Sequence, residues 1–199
     1  MPSTTATLDT LAQAVTTCTA CGLCDTRTQT VFAHGSPNAP VLLVGEGPGQ
    51  HEDESGVPFV GRAGRLLTEM LTDAGIHRPN DIYICNVVKC RPPKNRAPLP
   101  TEIAACLPYL HQQIALVQPK VILLAGATAV KTVLAHHPDV PKTGITKLRG
   151  QWFATEWGIP AMPLFHPSYL LRNPSAAEGK PKWLMAQDIA AVCARLRGA

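Results

Sequence analysis

Aromatic side chains are scarce in this chain, with four Phe, three Tyr and three Trp among 199 residues, so a Phe set in a loop stands out. Long apolar runs are missing as well. None approaches the roughly 20 residues that a membrane-spanning helix needs. The start, MPSTTATLDTLAQAV, lacks the basic residues and apolar core of a secretory signal. These absences predict a soluble, cytoplasmic protein with no membrane partner. Two phosphate-cradling patterns are absent too: there is no G-x-x-x-x-G-K-S/T, and no G-x-G-x-x-G opening directly into a helix. Excess charge is small. The 18 Lys+Arg against 14 Asp+Glu leave +4, which permits an acidic partner such as nucleic acid without demanding one. No repeat or low-complexity segment interrupts the chain.

Apolar residues make up 45% of the chain, enough for a sizeable core, and the length suits one domain spanning residues 1–199. The stretch from Val41 to Leu67 organises it. Val41 to Val44 is long enough for a buried strand, and Gly45-Glu46-Gly47-Pro48-Gly49 cannot continue it. A polar loop with Glu52, Asp53 and Glu54 follows, ending in Pro58-Phe59-Val60-Gly61. Leu66, Leu67, Met70, Leu71 and Ala74 then recur at helical intervals, predicting a helix from about Ala63 to Ala74. Strand, glycine turn and helix in that order place ligands at the carboxyl end of a strand in α/β proteins, although such turns also occur for purely backbone reasons.

The same pattern repeats. Strands are predicted at Ile82–Val88, Val121–Leu124 and Ala161–Phe165, and Gln151–Ala154 reads as an edge strand or hairpin arm. Helices are predicted at Leu8–Val15, from Thr101 as N-cap through Ile114, after Gly126, and along Met185–Leu196. CRPPKNRAPLP, with four prolines in eleven residues, cannot be regular structure. Alternating strands and helices predict an α/β fold: one three-layer α/β/α domain with a mostly parallel, four-stranded central sheet. The N-terminal helix and cysteine motif (about 8–24) pack on it.

Seven cysteines is a high count. In a cytoplasmic chain disulfides are disfavoured, so metal binding is the better reading. Cys18 and Cys21 sit in a C-x2-C pair. Cys90 lies in the proline-stiff segment, and Cys106 follows on the next helix. Four thiolates suit either tetrahedral zinc or a [4Fe–4S] cluster, and ligand type alone does not choose. Cys24 extends the first pair to C-x2-C-x2-C, part of a ferredoxin-like run, but no further cysteine follows before Cys85. Cys24 therefore reads as a spare, and Cys85 and Cys193 as core or surface residues.

Three strand ends carry polar groups: Glu46, Asn86 and His166. Strand ends at one edge of a parallel sheet converge on a common crevice. An Asn there can present a donor and an acceptor to a base edge. Phe59, held between Pro58 and Val60-Gly61, could stack on a planar ring or simply anchor its loop. His166 could stabilise negative charge on a leaving group. Basic residues gather in three loops: Lys89, Arg91, Lys94 and Arg96; Lys142, Lys147 and Arg149; Arg172, Lys180 and Lys182. On one rim they would track a phosphate backbone; apart, they would be solvated faces.

Four segments, in this order, resemble the family-4 uracil-DNA glycosylases, the iron–sulfur type of bacteria and archaea: CTAC (18–21), GEGPGQHEDESGVPFVGRAG (45–64), NVVKCRPPKNRAPLP (86–100) and FHPSYLLRNPS (165–175). The resemblance implies a [4Fe–4S] cluster on Cys18, Cys21, Cys90 and Cys106. It implies a uracil pocket in which Phe59 stacks on the base and Asn86 pairs with its N3–H and O4. Backbone N–H groups of the Gly45-Glu46-Gly47 turn would reach O2, and His166 would face O2 as the glycosidic bond breaks. Leu170 stands where the family places the wedge that fills the gap left by a flipped nucleotide, and Arg172 would lie near phosphate. Lys89, Arg91, Arg96 and Arg149 complete the expected DNA contacts. The implied reaction is hydrolysis of the N-glycosidic bond of deoxyuridine in single- or double-stranded DNA, performed by a monomer.

Two departures matter. Other uracil glycosylases carry an Asp in the third position of the turn, where this chain has Gly47, so Glu46 is the nearest carboxylate and is expected to position water. A sister group traps uracil-DNA covalently through the His of a KRRIH insertion, whereas this chain has CRPPKNRAP and no such His. The competing readings are a non-catalytic iron–sulfur or zinc module that binds uracil-containing or single-stranded DNA, and an electron-transfer protein suggested by the C-x2-C-x2-C run.

Overall fold

In a computed structural model of the chain, residues 7–78 and 80–198 are described; the first six residues of the N-terminal stretch read for a signal lie outside them. The strands are β1 (His34–Gly35), β2 (Val41–Gly45), β3 (Ile82–Asn86), β4 (Val121–Ala125), β5 (Phe153–Ala154) and β6 (Pro160–Leu164). They form one sheet in the order β1-β3-β2-β4-β6-β5. The inner four run parallel, and β1 and β5 pair antiparallel at the two edges. The expected four-stranded sheet is thus corrected to six. The two edge strands are only two residues long, too short to carry a hydrophobic period.

VLLVG, IYICN and VILLA are buried at every position, as befits parallel strands covered on both faces. Their side chains alternate cleanly. Leu42, Val44, Tyr83, Cys85, Ile122 and Leu124 enter one core, whereas Val41, Leu43, Ile82, Ile84, Val121 and Leu123 enter the other. The helices are α1 (Leu8–Thr16), α2 (Gln50–Ser55), α3 (Arg62–Asp73), α4 (Pro100–Val117), α5 (Ala127–Val133), α6 (Ile145–Leu148), α7 (Pro167–Arg172) and α8 (Pro181–Arg197). Leu8 of α1, Leu110 and Ile114 of α4 and Val130 of α5 cover the first face. Leu67 and Leu71 of α3, Leu170 of α7 and Ile189 of α8 cover the second. A three-layer α/β/α arrangement results.

Local chemistry sets several boundaries. The Thr7 hydroxyl caps α1 by accepting from the Thr10 N–H. Thr101 is not the cap of α4: Pro100 takes the first helical position, and Glu102 reaches back to accept from the Leu99 N–H at 2.7 Å. The polar segment read as a loop after Gly49 is instead the short helix α2, because Glu52 accepts from the Gly49 N–H. Parallel pairing sends the ends of β2, β3, β4 and β6 to one edge of the sheet, and the functional residues collect there.

Candidate active site and cysteine centre

Register places Gly45 directly beside Asn86. The pairing continues into the turn, where the Val87 N–H donates to the Gly45 carbonyl (2.9 Å) and the Val88 N–H to that of Glu46 (3.2 Å). Gly45 is a floor with no room above it. A Cβ there would lie 2.3 Å from Asn86 Oδ1 and 2.6 Å from Phe59 Cζ. Asn86 is 1% exposed, and its Oδ1 accepts no hydrogen bond from any of the described residues. An unsatisfied buried polar group costs about 1–3 kcal/mol, so this amide is set to meet a partner the protein does not supply.

Phe59 is buried and has φ 55, a left-handed backbone unusual for a bulky residue. Three groups hold it there. Arg78 donates to the carbonyls of Phe59 (3.0 Å) and Pro58 (2.9 Å). Glu52 accepts from the N–H groups of Val60 (2.9 Å) and Gly61 (2.8 Å). Gly64 lets α3 approach so closely that a Cβ would lie 2.0 Å from the Phe59 carbonyl carbon. Such a conformation costs on the order of 1–3 kcal/mol and persists only where it is over-determined.

His166 is delivered by the end of β6 and caps α7, with its Nδ1 accepting from the Ser168 N–H at 3.2 Å. That bond puts the ring proton on Nε2. Burial holds the His166 pKa below its ordinary value; Glu46 and Glu52 pull it back up, and Arg172 adds to the depression. A neutral imidazole with a free Nε2–H donor follows. Its ring centroid lies 6.1 Å from that of Phe59, the planes tilted by 36°. Glu46 accepts a short hydrogen bond from Thr128 Oγ1 at the start of α5. Glu46, Gly47, Phe59, Asn86 and His166 all line one open cleft of about 1250 Å³.

The cysteine motif meets the proline-stiff segment on the far side of β3. Cys18, Cys21, Cys90 and Cys106 line one small, tightly closed site with Arg27 and Tyr109. Donors already point at sulfur: Arg27 Nη1 at Cys90 Sγ (3.2 Å) and the Lys89 N–H at Cys106 Sγ (3.3 Å). Cys24 is turned away toward Asp25 at 3.4 Å. Cys85 is buried in β3 and Cys193 in α8, the latter donating to the Ala74 carbonyl. Among the described residues no three His, Cys, Asp or Glu side chains converge on one ion.

Comparison with known proteins decides the family. The Uracil DNA glycosylase superfamily profile matches residues 32–190. A type-4 uracil-DNA glycosylase of Thermotoga maritima is 50% identical over 168 residues, covering 84% of this chain and 85% of the relative. The chain belongs to the type-4 uracil-DNA glycosylases. A type-4 relative from Archaeoglobus fulgidus is 39% identical, with 86% of each chain covered. A type-5 uracil-DNA glycosylase of Thermus thermophilus is 34% identical but covers 51% of this chain.

Several of the expected DNA contacts are not placed to be made. Leu170 is 1% exposed in the core beneath α7, so it cannot enter DNA; its neighbour Leu171 is 41% exposed and lines the cleft. Lys89 is buried, its Nζ donating to the Asn86 carbonyl at 2.6 Å. Arg149 is held in a two-bond pair with Asp188 and lies over the Phe165 ring. Neither offers a free charge to phosphate. Arg96 lines the cleft, but its guanidinium forks onto Glu102 at 2.6 and 2.8 Å. Arg91 is half-buried and bonds Asn95, whereas Arg172 is exposed. Arg62, Arg78, Thr128, Ser168 and Leu171 were not singled out by the sequence reading. Arg78 and Thr128 act through partners 19 and 82 residues away, and only Ser168 and Leu171 carried a signal, by standing in the motif after His166.

Proposed function

We propose that this chain is a DNA-repair enzyme that hydrolyses the N-glycosidic bond of deoxyuridine in DNA, releasing uracil and leaving an abasic site. The observation that carries the reading is the buried Asn86 amide, its Oδ1 unpartnered above a glycine floor and beside an aromatic ring. Such a slot takes a flat ring with a donor and an acceptor on one edge, and the N3–H and O4 of uracil are such an edge. A base inside a duplex must leave the stack to reach it. Phe59 covers one face of the flipped base. N–H groups of the Glu46–Gly47 turn and His166 Nε2–H lie on the O2 side.

Breaking the glycosidic bond drives negative charge onto O2 and positive charge onto the sugar. A neutral His166 donates to O2 without having to lose a proton first, and one such donor is typically worth about 100- to 1,000-fold in rate. Glu46, fixed by Thr128, holds the water that attacks the sugar carbon. Leu171, rather than Leu170, fills the gap in the stack, and Arg172 steadies the flanking phosphate.

Four thiols lining one site, with N–H donors aimed at two of the sulfurs, fit the four thiolate ligands of the [4Fe–4S] cluster that the type-4 resemblance implies. Cys18, Cys21, Cys90 and Cys106 would hold it. When bound, the cluster ties the N-terminal segment to the segment that follows Asn86. Excision from labelled oligonucleotides bearing one deoxyuridine, single-stranded and opposite G or A, with thymine controls, tests the function. Cleavage confined to uracil supports it. Retention on uracil DNA without cleavage would favour the non-catalytic module, and neither would end both readings.

A further inference from the structure

Lys89 is among the most deeply buried large side chains, 1% exposed. Its ammonium donates to the Asn86 carbonyl at 2.6 Å, and among the described residues no carboxylate lies within ion-pair reach of it. Removing an ammonium from water costs several kcal/mol unless an opposite charge stands near. Its backbone N–H meets Cys106 Sγ at 3.3 Å. At the same centre, Arg27 Nη1 donates to Cys90 Sγ (3.2 Å) and to the Cys18 carbonyl (2.8 Å), while Nη2 reaches the Thr16 carbonyl. Arg27 also has no carboxylate within ion-pair reach among the described residues. Two cations without acidic partners among the described residues thus stand at the cysteine centre, Arg27 against Cys90 and the Lys89 amide against Cys106.

We infer that Arg27 and Lys89 are the counter-charges of the cysteine centre, and that Lys89 also ties that centre to the base-reading Asn86. The inference rests on the proposed cluster and on Asn86 as base reader. A thiolate-bound cluster carries net negative charge, and its potential follows that charge and the hydrogen bonds to its sulfurs. Removing either cation therefore makes the cluster harder to reduce. Lys89 alone has a second effect. It grips the cysteine centre by its amide and the Asn86 carbonyl by its side chain, so its loss also loosens Asn86.

The test uses the holoprotein, with Arg27→Gln, Arg27→Lys and Lys89→Met variants. Reduction potential is read by protein-film voltammetry without DNA, and binding of free uracil by calorimetry. Both Arg27→Gln and Lys89→Met are expected to lower the reduced fraction at a fixed potential by about tenfold, which is about 59 mV for one electron. Arg27→Lys should recover much of that shift. Uracil binding should weaken several-fold in Lys89→Met and stay unchanged in Arg27→Gln. Unshifted potentials in variants that keep their cluster would overturn the counter-charge assignment, and Arg27→Gln decides this even if Lys89→Met fails to fold. A shifted potential with unchanged uracil affinity in Lys89→Met would overturn the link to Asn86. A wild-type protein without iron–sulfur absorbance would remove the cluster, and the inference with it, while leaving the excision assay to judge the glycosylase reading separately.

Discussion

Gly45→Ala adds one methyl group at the floor of the base slot. The backbone at Gly45 is not left-handed, so alanine brings no conformational strain and the change acts through space alone. Its Cβ would stand 2.3 Å from Asn86 Oδ1 and 2.6–2.7 Å from two atoms of the Phe59 ring. All three distances lie well inside van der Waals contact, so Asn86 and Phe59 must move apart. Overpacking of this kind costs about 1–3 kcal/mol. Asn86 sits at the end of β3 with its backbone fixed, so much of the adjustment falls on the two side chains that frame the slot. A misplacement near 1 Å in a reacting geometry costs on the order of 100-fold. Single-turnover excision of uracil should therefore fall by about 100-fold, while the melting temperature falls only modestly. Gly144→Ala is the control: its φ is −72 and no atom lies within 4 Å of the added Cβ, so both measurements should stay at wild-type values. If Gly45→Ala excises uracil at the wild-type rate, the slot above Gly45 is not where the base binds.

Burial, the largest influence on His166, holds its pKa below the ordinary 6.5, so excision should show no inflection at that pH and should fall only in more acid solution, once Nδ1 takes a proton and loses its bond from the Ser168 N–H. The unfolded chain takes up that proton at higher pH than the folded one, so the stability linked to His166 is full above 6.5 and declines as pH drops below it; equal stability of wild type and His166→Gln across that range would refute the burial. Leu171→Ala should slow excision from duplex DNA more than from single strands, because only a duplex leaves a gap to fill. Leu170→Ala should instead lower stability by about 2–5 kcal/mol, and the opposite pattern in thermal melts and duplex assays would restore Leu170 as the wedge. Thr128→Val should reduce kcat by about tenfold, the worth of one hydrogen bond to a charged group, with free-uracil affinity unchanged; an unchanged kcat would mean that Glu46 needs no such anchor.

The sheet was legible because each inner strand is an apolar run covered on both faces, a pattern that survives without any partner being known. Helix α2 was not. QHEDES is polar throughout, and its helical turn depends on Glu52 reaching the Gly49 N–H and the loop beyond Phe59. That Glu46, Asn86 and His166 share one cleft was legible, since strand ends in a parallel sheet share an edge. Basic residues misled for a physical reason. A Lys or Arg in a loop looks solvated in one dimension, yet Arg149 finds Asp188 39 residues further along, and Lys89 turns inward to a carbonyl three residues before it. Leu170 and Leu171 differ by one step on a short helix, and that step separates the core from the cleft.

Gly47 shows how a departure from a family pattern can be forced by packing. A Cβ at this position would lie 2.7 Å from Val88 Cγ2. Val88 is fully buried, and a β-branched side chain has few rotamers to retreat into. The Asp that other uracil glycosylases carry here would therefore drive Val88 into the core above the cysteine centre, where Val88 lines the site with Cys90 and Cys106. The nearest carboxylate at this end of β2 is that of Glu46. Its side chain runs the other way, toward α5, and Thr128 holds it there. Glycine at 47 leaves the wall of the cysteine centre undisturbed, and the hydroxyl at 128 gives the Glu46 carboxylate a fixed position in the cleft.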